Sequence, residues 1–181
     1  MRVLRHERAP ELAHMTPEAM MQRYTRAFND IAPDWKAFVD SEVEGTRRAQ
    51  YRFIGAGGSG KHDDPDVIPA GAFTLSVMFL PPGQGGNSHT HEVEEVFFVL
   101  KGIVTLFIED DAGRRTSKRM GPWECISCPA GVPHGFINEG PEGAYLQTLI
   151  GSGRPGPVGF TDSAIYKAEE ERLARQRKGG S

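Results

Sequence analysis

The sequence predicts an all-β fold, a sandwich or barrel of short strands, with a helical lead-in before it and one helix after it. Three observations carry that expectation. Strand-like runs follow one another closely from Tyr51 to Ile150. Clusters such as Asp110-Asp111-Ala112-Gly113 break them at short intervals. The 22 glycines and 13 prolines suit a chain that turns often.

Residues 1–50 read as a helical N-terminal extension. Thr16 is placed to cap a helix, with Pro17 at its first position, Glu18 behind it, and Met20, Tyr24, Ala27 and Phe28 at helical spacing. Pro33-Asp34-Trp35 reads as the start of a second short helix, with Trp35, Phe38 and Val39 on one face. Such an amphipathic lead needs a surface to pack on, either the wall of the β domain or a partner subunit.

A single β domain is expected over residues 51–160. Its strands are expected at Tyr51–Ile54, Phe73–Leu80, Ser88–His91, Glu95–Leu100, Val104–Glu109, Arg115–Arg119, Glu124–Ser127, His134–Asn138 and Tyr145–Ile150. Residues 161–181 read as a C-terminal helix and tail. The charged pattern from Asp162 to Arg177 carries only a thin apolar stripe of Ala164, Ile165, Ala168 and Leu173, and Lys178–Ser181 read as frayed.

Composition excludes several function classes. Lysine plus arginine number 21 against 24 aspartate plus glutamate, a balance that argues against a nucleic-acid partner. No apolar run follows the opening MRVLRHERAP, and the longest one, Ala72–Leu80, is too short to cross a bilayer. The expectation is a cytoplasmic protein without a membrane partner. Cys125-x-x-Cys128 lacks a second ligand pair for zinc and is followed by Pro129, where a redox motif would open a helix. An offset of three puts the two sulfurs on opposite faces of a strand, so two unrelated reduced thiols are expected. Gly55–Lys61 nearly spells a phosphate-binding loop. His62 stands where Ser or Thr is required and Asp63-Asp64-Pro65-Asp66 follows in place of a helix, so a flexible loop is expected.

His89, His91, Glu95 and His134 carry the chemistry. The first three are separated by even offsets, so one extended segment can aim them at one point, and His134 arrives from a separate turn. Three imidazoles and a carboxylate suit a divalent transition metal better than calcium or magnesium. Four ligands on an octahedral ion leave two positions for substrate, water or dioxygen. Phe97 shares the face of Glu95 and Phe136 that of His134, where these aromatics either wall a substrate pocket or fill the core. Gln147, if it faces inward, can orient a substrate, and Arg52 either holds an anionic group or lies exposed.

The spacing also resembles a known family. Five residues separate Gly83 from the His89-x-His91 pair, three more precede Glu95 and six more precede Gly102. Pro129-x-Gly131-x-x-His134-x-x-x-Asn138 follows. These are similar to the two motifs of the cupins, with one departure: Trp123 stands where the family usually has glycine. The resemblance covers roughly residues 72–150. It implies a jelly-roll barrel (a double-stranded β-helix). It implies one divalent metal per chain, Fe(II) favoured, with Mn(II), Ni(II), Zn(II) or Cu(II) as the alternatives. Val96, Phe98 and Leu100 make the other face of the strand at Glu95–Leu100 apolar too, so cover is expected from the N-terminal helices or from a second subunit, in a homodimer or higher homo-oligomer.

Three functions are expected in descending order. The first is an Fe(II)-type dioxygenase of a small hydroxylated or keto compound, possibly aromatic. The second is a redox-neutral isomerase or decarboxylase. The third is a small-ligand-binding or sensor protein without catalysis.

Overall fold

The computed structural model describes residues 6–179. Ten strands form two five-stranded antiparallel sheets: β1 (Ala49–Ile54), β2 (Thr74–Leu80), β3 (Gly85–Thr90), β4 (Glu95–Lys101), β5 (Val104–Glu109), β6 (Arg115–Met120), β7 (Cys125–Cys128), β8 (His134–Ile137), β9 (Ala144–Ile150) and β10 (Gly159–Phe160). One sheet runs β1-β2-β9-β4-β7 and the other β10-β3-β8-β5-β6. From β2 to β5 and again from β6 to β10 successive strands alternate between the sheets, which brings residues distant in sequence face to face. Two helices flank them, α1 (Pro17–Arg23) and α2 (Ser163–Gly179). The expected opening residues 1–5 and final residues 180–181 lie outside the described part. Lys178 and Gly179, assigned to a tail by sequence, belong to α2.

Alternation decides the layering. Glu95, Phe97 and Val99 on β4 are buried between the sheets, and Leu106, Phe136 and Leu146 close the same core from β5, β8 and β9. The other face of the β1-β2-β9-β4-β7 sheet is aromatic too, so it needs cover. The N-terminal segment supplies part of it. Phe28 stacks on Tyr51 at 4.5 Å between ring centroids, and Trp35 meets Phe79 edge-on at 6.1 Å.

The N-terminal segment is less helical than expected. Thr16 caps α1, its hydroxyl accepting from the Ala19 amide at 3.2 Å. No helix begins at Pro33. The Asp34 backbone instead pairs with that of Gln50, extending the sheet by one bridge, and only a 3-10 turn forms at Val39–Glu42. Apolar residues at helical spacing here are satisfied by docking onto the sheet.

Two backbone details fix the turns. A Cβ on Gly85 would stand 2.0 Å from the Phe136 carbonyl oxygen, so β3 can approach β8 there only as glycine. Trp123, the one departure from the motif pattern, has a left-handed backbone, φ +72°, at a steric cost of about 1–2 kcal/mol for a residue other than glycine. Trp123 meets Phe98 edge-on at 6.0 Å on the outer face.

Asn138 ties the strand ends together. Its buried side chain donates to the Leu80 and Glu142 carbonyls at 2.9 and 2.7 Å and accepts from the Gly140 amide at 2.9 Å. Asn138→Leu leaves those groups unpaired in the interior. It is expected to cost about 3 kcal/mol of stability, read from the urea midpoint, with no change in metal content.

Cys125 is exposed, Cys128 is buried and both are free, as their offset predicts. No helix among the described residues is long and apolar enough to cross a membrane.

Candidate metal centre

His89 and His134 are direct cross-strand neighbours of β3 and β8. His91 lies just beyond β3, and Glu95 opens β4 in the opposite sheet. The even offsets therefore do not act along one strand. The chain crosses from one sheet to the other between His91 and Glu95, and the two walls face each other across the gap.

Glu95 Oε2 is the common centre. It lies 3.3 Å from His89 Nε2, 3.4 Å from His91 Nε2 and 2.8 Å from His134 Nε2. All four residues are buried. His89, His91 and Glu95 form the tight donor group, each offering an atom within 4.8 Å of the others; His134 joins it through Glu95.

The tautomers are set from outside. His89 Nδ1 lies 2.8 Å from the Asn87 carbonyl and His134 Nδ1 2.8 Å from the Val132 carbonyl. A carbonyl only accepts, so each Nδ1 carries the proton and donates. Burial holds His89 below the usual imidazole range, hence neutral. Its Nε2 then presents a lone pair to the lone pairs of a carboxylate oxygen. Only a cation between them, a proton or a metal ion, makes that contact favourable.

The remaining groups show the proton solving the problem when no ion does. Burial opposes ionisation of Glu95, yet the charge of His91 and the hydrogen bond from His134 hold its carboxyl well below the ordinary range. His134 is pushed up to about 9: burial lowers it, but the Cys128 thiol and the Glu95 carboxylate outweigh that. His91 is raised by Glu95 against its own burial.

The spacing also fits an ion. Bonds of about 2.1 Å place neighbouring donors about 3.0 Å apart at right angles and about 3.4 Å apart at tetrahedral angles. The observed 2.8–3.4 Å spans both. Ligand chemistry and donor distances agree: a cluster of this kind can hold a divalent metal.

His89, His91 and Glu95 form one wall of a small pocket of about 30 Å³ that is also lined by Phe38, Arg48, Gln50, Thr148, Phe136 and Phe160. Of the substrate-pocket residues expected from sequence, Phe136 is on this wall. Phe97 is not; it is core, packed edge-on against His134 and Phe136 at 5.8 and 5.2 Å. Gln147 is displaced by parity. Leu146 and Thr148 point between the sheets, and Gln147 faces the outer side with Tyr145. Arg52 is also elsewhere, donating to Asp64 at 2.7 Å and to the Lys61 carbonyl.

Sequence reasoning missed the roof of the pocket. Gly58, in the loop that mimics a phosphate site, lies against His91 and Phe38. Phe160 on β10 sits opposite His89. Arg172 on α2 donates to the Ser59 carbonyl at 3.0 Å and pairs with the buried Glu169 at 2.6 Å, tying helix and loop together. The expected flexible loop is pinned.

Comparison with known proteins agrees with this architecture. Residues 76–150 match the cupin domain family. The dimethylsulfoniopropionate lyase DddQ of Ruegeria pomeroyi is 31% identical over 88 residues, 49% of this chain and 38% of that protein. The chain thus spans well under half the length of this curated relative. Among solved structures, the polyketide cyclase RemF from Streptomyces resistomycificus superposes with a TM-score of 0.57 at 23% identity, covering 79% of this chain and 89% of that one. An oxalate oxidase superposes at 0.52 and 17%, covering 78% and 67%. These likenesses agree with a double-sheet β-barrel fold, and the cupin-domain match over residues 76–150 takes in His89, His91, Glu95 and His134.

Proposed function

We propose that the protein is a metalloenzyme whose ion is held by His89, His91, Glu95 and His134, and that it acts on a small oxygenated compound with dioxygen as co-substrate. Fe(II) is the favoured ion, with Mn(II), Ni(II), Zn(II) and Cu(II) as alternatives. One observation supports this most strongly: three imidazole Nε2 atoms converge on a single buried carboxylate oxygen in the wall of an enclosed pocket. When bound, the ion supplies Lewis acidity and open coordination positions for the oxygens of a substrate.

The chain's own residues do the rest. His89 and His134 are locked in orientation by the Asn87 and Val132 carbonyls, which keeps their Nε2 atoms on the centre. Phe38, Met78, Phe136, Val158 and Phe160 exclude water and bound a substrate of modest size. Among the described lining residues, the cluster supplies every carboxylate and imidazole. That favours chemistry at the ion over proton transfer by a separate side chain.

A redox-neutral lyase, isomerase or decarboxylase is the second reading. It is favoured by the 31% identity to a lyase over the matched segment. Oxygen uptake separates the two. Iron-loaded protein is expected to consume dioxygen with a member of a panel of hydroxyketones and catechols. Silence across the panel at full loading, with product formed under nitrogen, would establish the second reading instead.

Val96, Phe98 and Trp123 keep the outer face of β4 apolar, and we propose that a second copy of the chain covers it. Light scattering is expected to give twice the chain mass; a monomer rules this out.

A further inference from the structure

We infer that the pocket is built for a small organic monoanion, a carboxylate above all, with Arg48 as the residue that binds its charge. The inference rests on the proposed divalent centre.

Arg48 is 4% exposed and lines the pocket. It donates from Nη2 to Asp40 at 2.8 Å and from Nη1 to the Thr46 and Gly85 carbonyls at 3.0 and 3.3 Å. Its guanidinium lies 4.2 Å over the Phe38 ring and 5.8 Å from that of Phe136, both also on the pocket wall. The guanidinium is thus held rigidly, yet its Nε is enclosed without an acceptor. A buried charged donor left unpaired is costly, so the site asks for an acceptor. Gln50 Oε1 and Thr148 Oγ, on the same wall, are also enclosed without partners. Gln50 Oε1 would accept from a hydroxyl of such a molecule, and the Thr148 hydroxyl would donate to its hydroxyl or keto oxygen.

Charge balance points the same way. Asp40 offsets Arg48, and its second oxygen is engaged by the Asn87 amide and side chain at 3.3 and 3.4 Å. Glu95 offsets one charge of a divalent ion. The loaded pocket is then left with one positive charge shielded from water, which a monoanion neutralises and a neutral molecule does not.

The test uses cobalt(II)-loaded protein titrated with matched pairs: acetate and acetamide, propionate and propionamide, benzoate and benzamide. Calorimetry gives affinity, and the visible cobalt spectrum reports on the centre independently of turnover. At least one carboxylate is expected to bind about tenfold or more tighter than its amide. R48M is made together with D40N so that no lone charge is buried. It is expected to keep one cobalt and an unaltered ligand-free spectrum while losing about tenfold or more of that affinity. R48K, which keeps the charge but lacks the planar donor array, is expected to fall between. Equal binding of acids and amides by loaded wild type overturns the monoanion inference alone. Carboxylate affinity unchanged in R48K and in the double variant overturns the assignment to Arg48. Wild type that takes up no cobalt overturns the metal reading, and the charge argument falls with it.

Discussion

Glu95→Gln is expected to weaken metal binding about 100- to 1000-fold at neutral pH. Structural four-ligand zinc sites are worth on the order of 10–16 kcal/mol, so one ligand carries about 3–4 kcal/mol. Glu95 is the largest single loss because its Oε2 is the atom toward which all three Nε2 atoms point. Glutamine keeps the volume, removes the charge and leaves the imidazoles without their common partner. Elemental analysis after mild dialysis should find little metal in this variant, with the fold retained by circular dichroism. His134→Ala should act in the same direction. A variant that retains metal as wild type does would show that the cluster has been assigned wrongly.

The second large effect is a stabilisation by metal that grows as pH rises. In the metal-free protein His134 is raised from 6.5 to about 9. Its contribution to stability is complete below the unfolded value and is lost as pH rises through about 9. A shift of that size corresponds to something on the order of 3 kcal/mol. Glu95 is lowered, so its contribution is present above the ordinary carboxylate range and lost as pH falls. The metal-free protein should therefore be most stable from about pH 5 to about pH 6.5 and soften on the alkaline side. A metal must displace the His134 proton, so its affinity should rise about tenfold per pH unit from about 7 to about 9 and then level off. Melting temperatures with chelator and with metal should therefore diverge across that range, the metal adding more at each higher pH. Parallel curves would mean that the His134 proton and the ion do not compete.

The strand series was legible because most of the strand-like runs from Phe73 onward are closed by glycine, proline or aspartate. β10 was not. Two residues, Gly159 and Phe160, carry no period, and only the pairing with Thr90 and His89 defines the strand. The segment around Trp35 misled because apolar residues spaced for a helix also serve a chain lying flat against an aromatic sheet. β9 was read in the right place with its inward face left open. Tyr145, Gln147 and Leu149 alternate with Leu146, Thr148 and Ile150, each set with one polar member, and both faces of this sheet are covered. Composition cannot break that tie.

The cluster was readable from sequence because its spacing is local to two turns, although the geometry that unites it is not a single strand. Arg48 was out of reach. A charged residue just before a strand is ordinarily solvated, and nothing local reveals that Asp40 and two phenylalanines will bury it. Arg52, four residues on, drew attention by sitting inside a strand, and it pairs with Asp64 instead.

The segment matched by the cupin family, residues 76–150, holds the four candidate ligands but only part of the enclosure around them. Phe38, Arg48, Gln50 and Gly58 come from before it, and Val158 and Phe160 from after. An excised matched segment would therefore be a basin open to bulk water. About half of the wall that a bound molecule would meet in this pocket is thus set outside the shared motifs.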